Sequence, residues 1–264
     1  MDDAGSQPVA TPPAASLSAA RTYRLVLAYD GTAYHGWQVQ PDAPTVQGSL
    51  LAAAGRLFAE GARVVGASRT DAGVHALRQT VALSATSALA PEALLAALNA
   101  YLPREIRVVA AAEAAVGFDA RRAAVGKRYA YLIDRAAVAS PLLLRYAWHV
   151  PGRLDLDAMR LALRSLRGTH DFSAFCAAPG RHVVPVCHVR AIHLVTRRAR
   201  LALLISADRF LHHMVRNIVG SAIEIGRGAR PAGWLAEVLA TRDRTRGGPT
   251  APAQGLTLVR VRYC

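Results

Sequence analysis

The segment GASRTDAGVHA, Gly66 to Ala76, differs from what surrounds it. RLFAEGARVV precedes it and QTVALSATSAL follows it, both largely apolar. Between them Arg69, Asp71 and His75 are spaced only by small residues. RVVGAS has the β-branched content of a strand and QTVALSA resumes one, so the charged segment starts at a strand end and becomes a loop. Asp71 then has two readings. As the first residue of Asp-Ala-Gly it makes an ordinary Asx turn, with Arg69 a surface residue. As a nucleophile it attacks a sugar carbon or an electrophilic ring carbon. That second role needs a cationic or hydrogen-bonding neighbour to keep the carboxylate charged. Glycines in the loop let the backbone approach a planar substrate closely.

Outward from this loop, strand and helix patterns alternate in mixed order. TYRLVLAYD, Thr22 to Asp30, reads as a strand, and GTAYHGWQVQPDAP as a Gly/Pro-rich loop. Thr45 is placed to cap the helix VQGSLLAAAGRLFA. PEALLAALNAYL is a helix with Pro91 in its first turn, and REIRVVAAAEA returns to strand. Further on, GKRYAYLIDR is a strand. LDLDAMRLALRSLRG is a helix with the stripe Leu156, Met159, Leu163 and Leu166. VRAIHLVTRRARLALLISA reads as two strands joined by a basic turn. FLHHMVRNIVGSAIEIGRG reads as an apolar helix, GWLAEVLA as a short one, and GLTLVRVRY as a closing strand. Without a steady βαβ alternation, the expected class is α+β with a mostly antiparallel sheet. No short tandem repeat is evident, and two related halves remain an open reading.

The chain has 264 residues, 52% of them hydrophobic, which excludes a disordered protein and allows one sizeable core or two fused halves. No apolar run is long enough to span a bilayer. The first twenty or so residues, MDDAGSQPVATPPAASLSAA, start acidic and are broken by prolines. They fit neither a secretory signal nor a transit peptide and are expected to be a disordered tail, residues 1–21. The net charge of +14 makes nucleic acid the leading partner, although a chain rich in Ala and Arg also owes some of that charge to composition. The sparse, odd set Cys176, Cys187 and Cys264 argues against a disulfide scaffold and fits a reducing cytoplasm.

Other constellations carry two readings each. AYDGTAYHGWQ is a tight turn with core aromatics, or a polar set (Asp30, His35, Gln38) beside Tyr34 and Trp37 for contacts to bases and phosphates. In FDARRAAVGKRYAYLI the cluster Arg121, Arg122, Lys127 and Arg128 is a solvated loop, or a phosphate track ending in a stacking platform. Tyr129 and Tyr131 share one strand face there. In HHMVRNIVG, read as helix throughout, Arg216 is too deep in apolar sequence to be unpaired. It needs a carboxylate or a phosphate, and Asp71 is one candidate. His212 and His213, adjacent on a helix, point to different faces, so a shared metal is not expected. Cys176, His182, Cys187 and His188 lack a close CxxC pair, so no zinc site is expected either. Walker, Rossmann and Gly-x-Ser-x-Gly motifs are missing.

Taken together, the ordered motifs YDGTAYHGWQ, GASRTDAGVHA, FDARRAAVGKRY, HDFSAF, HHMVRNIVG and QGL resemble the TruA family of tRNA pseudouridine synthases, from about Thr22 to Tyr263. The resemblance implies an enzyme that isomerises uridine to pseudouridine at uridines 38–40 of the tRNA anticodon stem-loop. It implies no cofactor and a homodimer contacting each tRNA with both subunits. It implies two similar α/β halves, roughly 22–125 and 126–264, sharing a long sheet with helices on one side and a basic cleft between the halves. By position, Asp71 matches the catalytic aspartate, Arg69 the base-flipping arginine, Tyr129 the tyrosine packed against the target base, and Arg216 the pocket arginine that pairs with the carboxylate. Phe118, Asp119, Ala120, Arg121 and Arg122 match one tRNA-contacting segment, and Pro179, Gly180, Arg181, His182 and Val183 fall where a second lies. His75 is given a structural role. Leu89 stands where some members carry a basic residue for a phosphate contact. Ser68 replaces a glycine of some members, a change between two small residues.

The physical chemistry fits. A uridine in a stem hides its reacting atoms, so it must be flipped out at a cost of a few kcal/mol. Arg69, two residues before Asp71, is placed to fill the vacated space. Isomerisation needs no redox or phosphoryl chemistry, so the missing cofactor motifs are expected. Two rivals remain: an RNA-binding protein without chemistry, which would tolerate Asp71→Asn, and an RNA glycosidase or nuclease using the same carboxylate, which would release base or cut the chain.

Overall fold

The computed structural model describes residues 19–177 and 184–264. The second expected tRNA-contacting segment, Pro179 to Val183, and most of the expected tail lie outside them. Strand β1 (Ala19–Tyr29) starts before Thr22, with Ala19, Ala20 and Arg21 already paired to Ser87, Thr86 and Ala85. The boundary expected at residue 21 is therefore too late: backbone pairing to a neighbouring strand extends order past the apolar pattern.

Helix α1 (Val46–Gly55) begins where Thr45 accepts the Gly48 N–H at 3.2 Å, as its cap position predicts. It ends before the expected Ala59, and Phe58 turns into the core. Then follow β2 (Arg63–Gly66), β3 (His75–Ser87), α2 (Pro91–Tyr101) and β4 (Ile106–Ala114). The remainder of the described chain holds β5 (Gly126–Asp134), β6 (Trp148–His149), α3 (Leu156–Arg164), β7 (Gly168–Asp171), β8 (Val186–Arg197), β9 (Arg200–Ala207), α4 (Met214–Gly226), α5 (Trp234–Thr241) and β10 (Leu256–Arg262).

One sheet joins the strands in the order β4-β1-β3-β10-β5-β9-β8-β7, with β2 added to β3 and β6 to β5. The β10–β3 and β5–β6 pairs are parallel; the others are antiparallel. The class is α+β with a large mixed, mostly antiparallel sheet, as the element pattern predicts. The last strand sits between β3, which follows the Asp71 loop, and β5, which carries Tyr129. That insertion places residues distant in sequence at one junction. The core runs continuously across it, from Tyr23, Leu25 and Leu27 of β1 to Leu201, Leu203 and Ile205 of β9 and Ile218 of α4. Each fully buried aliphatic side chain contributes about 1.5–3 kcal/mol to that cohesion.

Candidate active site

The loop from Gly66 to β3 is held from behind by the Gly31–Trp37 turn. Trp37 N–H donates to the Thr70 carbonyl (3.0 Å), Gly73 N–H to the Tyr34 carbonyl (3.2 Å), and Tyr29 and Thr70 share a hydroxyl bond of 2.8 Å. Gly36 has φ +88°, and a Cβ there would stand 2.6 Å from the Thr70 carbonyl oxygen. Only glycine fits that approach. The motif AYDGTAYHGWQ therefore braces the charged loop. Tyr34 and Trp37 are buried, which overturns their reading as base contacts.

His75 opens β3 and is buried. Its Nε2 faces the Arg145 and Gln254 carbonyls at 2.8 and 3.2 Å, so that nitrogen carries the proton. Its Nδ1 lies 3.0 Å from the Gly31 nitrogen and 3.2 Å from Asp30. These contacts tie three segments together.

Braced in this way, Asp71 turns toward the second half of the chain. Arg216 Nη1 donates to its Oδ2 at 3.2 Å, and Arg216 Nε donates to the Ala251 carbonyl at 2.8 Å. Gly220 makes this possible, because its missing Cβ lets the Pro249 carbonyl lie against α4 and brings Ala251 alongside. Arg216 is thus paired, and Asp71 is its carboxylate.

Two further partners were not anticipated. His213 Nε2 lies 3.4 Å from Asp71 Oδ2 and His212 Nε2 lies 3.8 Å from Oδ1. HHMVRNIVG is not helical throughout: α4 starts at Met214, and His213 adopts a left-handed conformation at φ 59°. That kink turns both imidazoles the same way, with ring centroids 3.9 Å apart, so the expectation of divergent faces fails. Ligand atoms of Asp71, His212 and His213 lie within 4.8 Å of one another, yet the Arg216 charge on the same carboxylate opposes a cation there. Burial is the main cause that holds the His213 pKa below its usual value, with His212, Arg216 and Arg244 adding to it and Asp71 opposing.

Tyr129 stands across the pocket. It is buried, edge-on to Phe210 at 5.0 Å, and its hydroxyl bonds Ser68 Oγ at 2.9 Å. Burial pushes its pKa up to about 12. Ser68 is therefore more than a small filler. Gln79 holds the Ser68 backbone from both sides, accepting its N–H at 3.2 Å and donating to its carbonyl at 2.6 Å. Tyr131 does not share the pocket; its hydroxyl donates to the Pro252 carbonyl at 2.7 Å.

The pocket between these groups has a volume of about 330 Å³, and Arg69, Arg121 and Lys127 also line it. Arg69 is exposed and makes no ion pair or side-chain hydrogen bond among the described residues. Burial, with Arg121 and Arg209 nearby, lowers the Lys127 pKa to about 8.

The Phe118–Arg122 segment divides. Arg121 reaches the pocket, and Arg122 is exposed outside it. Phe118 packs on Tyr263 at 5.7 Å, and Asp119 accepts the Arg121 and Arg122 N–H groups at 2.8 and 2.9 Å. Ala120 is fully buried, with its carbonyl accepting the Tyr263 hydroxyl. As a contact surface Ala120 is thus a correction: it anchors the loop from beneath. Leu89 is packed partly against the core. Of the zinc candidates, Cys176 and Cys187 are buried, His188 pairs with Thr169, and His182 lies outside the described residues.

Fold and pocket define an enzyme whose mixed sheet presents a charge-paired carboxylate to a basic opening. A family model described as tRNA pseudouridine synthase matches residues 25–121 and 162–264. Curated relatives named tRNA pseudouridine synthase A match over most of both chains. The Myxococcus xanthus protein is 44% identical over 241 residues, 91% of each chain. That of Moorella thermoacetica is 43% identical over 244 residues, covering 91% of this chain and 98% of its own. That of Geobacter sulfurreducens is 40% identical over 243 residues, covering 92% and 100%. The chain belongs to the tRNA pseudouridine synthase family.

Proposed function

We propose that this enzyme converts uridine to pseudouridine at positions 38–40 of the tRNA anticodon stem-loop, with Asp71 as the reacting carboxylate. The observation that carries this reading is the Arg216–Asp71 contact of 3.2 Å at the pocket wall. It joins the two motifs that the resemblance assigns to catalysis, 145 residues apart. Arg216 balances the carboxylate charge and aims it, since its Nε is itself fixed on Ala251. The exposed Arg69 enters the helix in place of the flipped uridine. The uracil ring packs against Tyr129, whose hydroxyl is already engaged by Ser68.

Cleavage of N1–C1′, rotation of the base and formation of C5–C1′ follow within the pocket. Arg121 and Lys127 offer charge to the flanking phosphates. Two halves meeting at β10, a homodimer and a cytoplasmic location complete the reading. No helix among the described residues is long and apolar enough to cross a membrane.

Pseudouridine mapping of unmodified tRNA after incubation tests the site preference. New pseudouridine confined to the anticodon stem-loop is expected; modification elsewhere would refute it.

A further inference from the structure

Isomerisation moves one hydrogen, and the pocket holds two imidazoles with no task so far. Once C5 of the detached uracil bonds to C1′, C5 carries both the sugar and its original hydrogen, and N1 is doubly bonded to C6. To finish, the C5–H bond breaks and its electron pair forms C5=C6. The N1=C6 pair moves onto N1, which takes a proton. A base must receive the C5 proton, whichever atom Asp71 meets first.

The pocket offers few candidates. Tyr129 has its hydroxyl bound to Ser68 and its pKa at about 12, so it is no free base at neutral pH. Lys127, with a pKa of about 8, is mostly charged there. Arg216 is a permanent cation. Asp71 has its Oδ2 engaged by Arg216 at 3.2 Å. His213 is different. It lines the pocket, its Nε2 stands 3.4 Å from Asp71, and its left-handed backbone fixes that aim. We infer that His213 is the base that takes the proton from C5, with the tilted His212 ring beside it at 3.9 Å. The inference rests on the isomerase reading above.

Several charges face this imidazole: Asp71 from the loop, His212 and Arg216 from its own segment, and Arg244 from the turn at Arg244–Arg246. Burial and the cations keep it neutral at pH 7, and the Asp71 carboxylate stabilises the imidazolium once formed. That proton then returns, through solvent, to N1.

The test is turnover of tRNA carrying deuterium at uridine C5, by the wild-type enzyme and by His213→Asn and His213→Gln. Asn tolerates the left-handed backbone, and two variants guard against one misfolding; melting and tRNA binding check both. The expected result is a rate lower by about a hundredfold, unchanged tRNA affinity, and an isotope effect well above that of the wild type. In wild type the same isotope effect should emerge as pH falls through the depressed His213 pKa. Variants that keep the wild-type rate, or that slow without any isotope effect, overturn the assignment, as does a wild-type isotope effect flat with pH. No pseudouridine from the wild type at all would count against the isomerase reading instead.

Discussion

The pocket has two walls made in different ways. The Asp71 wall is backbone: Trp37 on Thr70, Gly73 on Tyr34 and Val74 on Asp71, all hydrogen bonds of 3.0–3.2 Å. The facing wall is made of ionisable side chains: Arg216, His213 and His212 reach Asp71 by side chains alone, at 3.2, 3.4 and 3.8 Å. A wall of backbone bonds fixes where the carboxylate stands. A wall of ionisable groups sets what charge it meets and can change protonation as the reaction proceeds. Damage to the two should look different, in stability on one side and in chemistry on the other.

Arg216→Met should have the largest effect among the supporting residues. It leaves Asp71 and the Ala251 carbonyl without their partner, and turnover should fall by about a hundred- to a thousandfold with tRNA affinity little changed. Arg216→Lys should not restore it, because one ammonium does not reach both oxygens in fork geometry. Steady-state kinetics and filter binding decide this. On the backbone wall, Gly36→Ala forces a side chain to φ +88° against the Thr70 carbonyl. It should cost about 2 kcal/mol of stability or more, read by thermal melting, and a variant as stable as wild type would break the comparison.

Smaller effects follow at the contacts between walls. Tyr129→Phe removes a hydroxyl engaged by Ser68, so it should cost about 1 kcal/mol and leave most of the turnover. Loss of turnover in that variant, at unchanged stability, would return proton transfer to the phenol. Smallest is Lys127→Gln. It should lower the slope of log affinity against log salt by up to about one. Wild-type affinity should decline above pH 8 as this lysine discharges, and the variant should lose that decline. Because burial lowers the folded pKa below that of the free lysine, its contribution to stability rises with pH from about 8 toward the unfolded value.

Much of this was legible in the sequence, and the parts that were not share a cause. Asp71 stood out because Arg69 and His75 flank it among small residues in an apolar chain, and Arg216 because an arginine inside MVRNIVG needs a counter-charge. Thr45, Pro91 and the Arg-rich turn between β8 and β9 marked element ends by local chemistry. His212 and His213 were missed because helical periodicity continues through them, and nothing in that pattern marks the left-handed turn at His213. Non-glycine residues in that conformation are uncommon, though His is enriched among them. Ser68 looked like a neutral exchange because its partner, Tyr129, is 61 residues away. The bracing role of Tyr34 and Trp37 was hidden for the same reason: polar-aromatic composition does not say which face the backbone buries.

The most direct measurement is pseudouridine mapping of unmodified tRNA with wild-type protein and with Asp71→Asn, alongside tRNA binding by both. The account predicts pseudouridine from the wild type only, with similar binding by the two proteins. Equal pseudouridine formation by Asp71→Asn would contradict it and reduce the charge-paired loop to a scaffold that holds RNA.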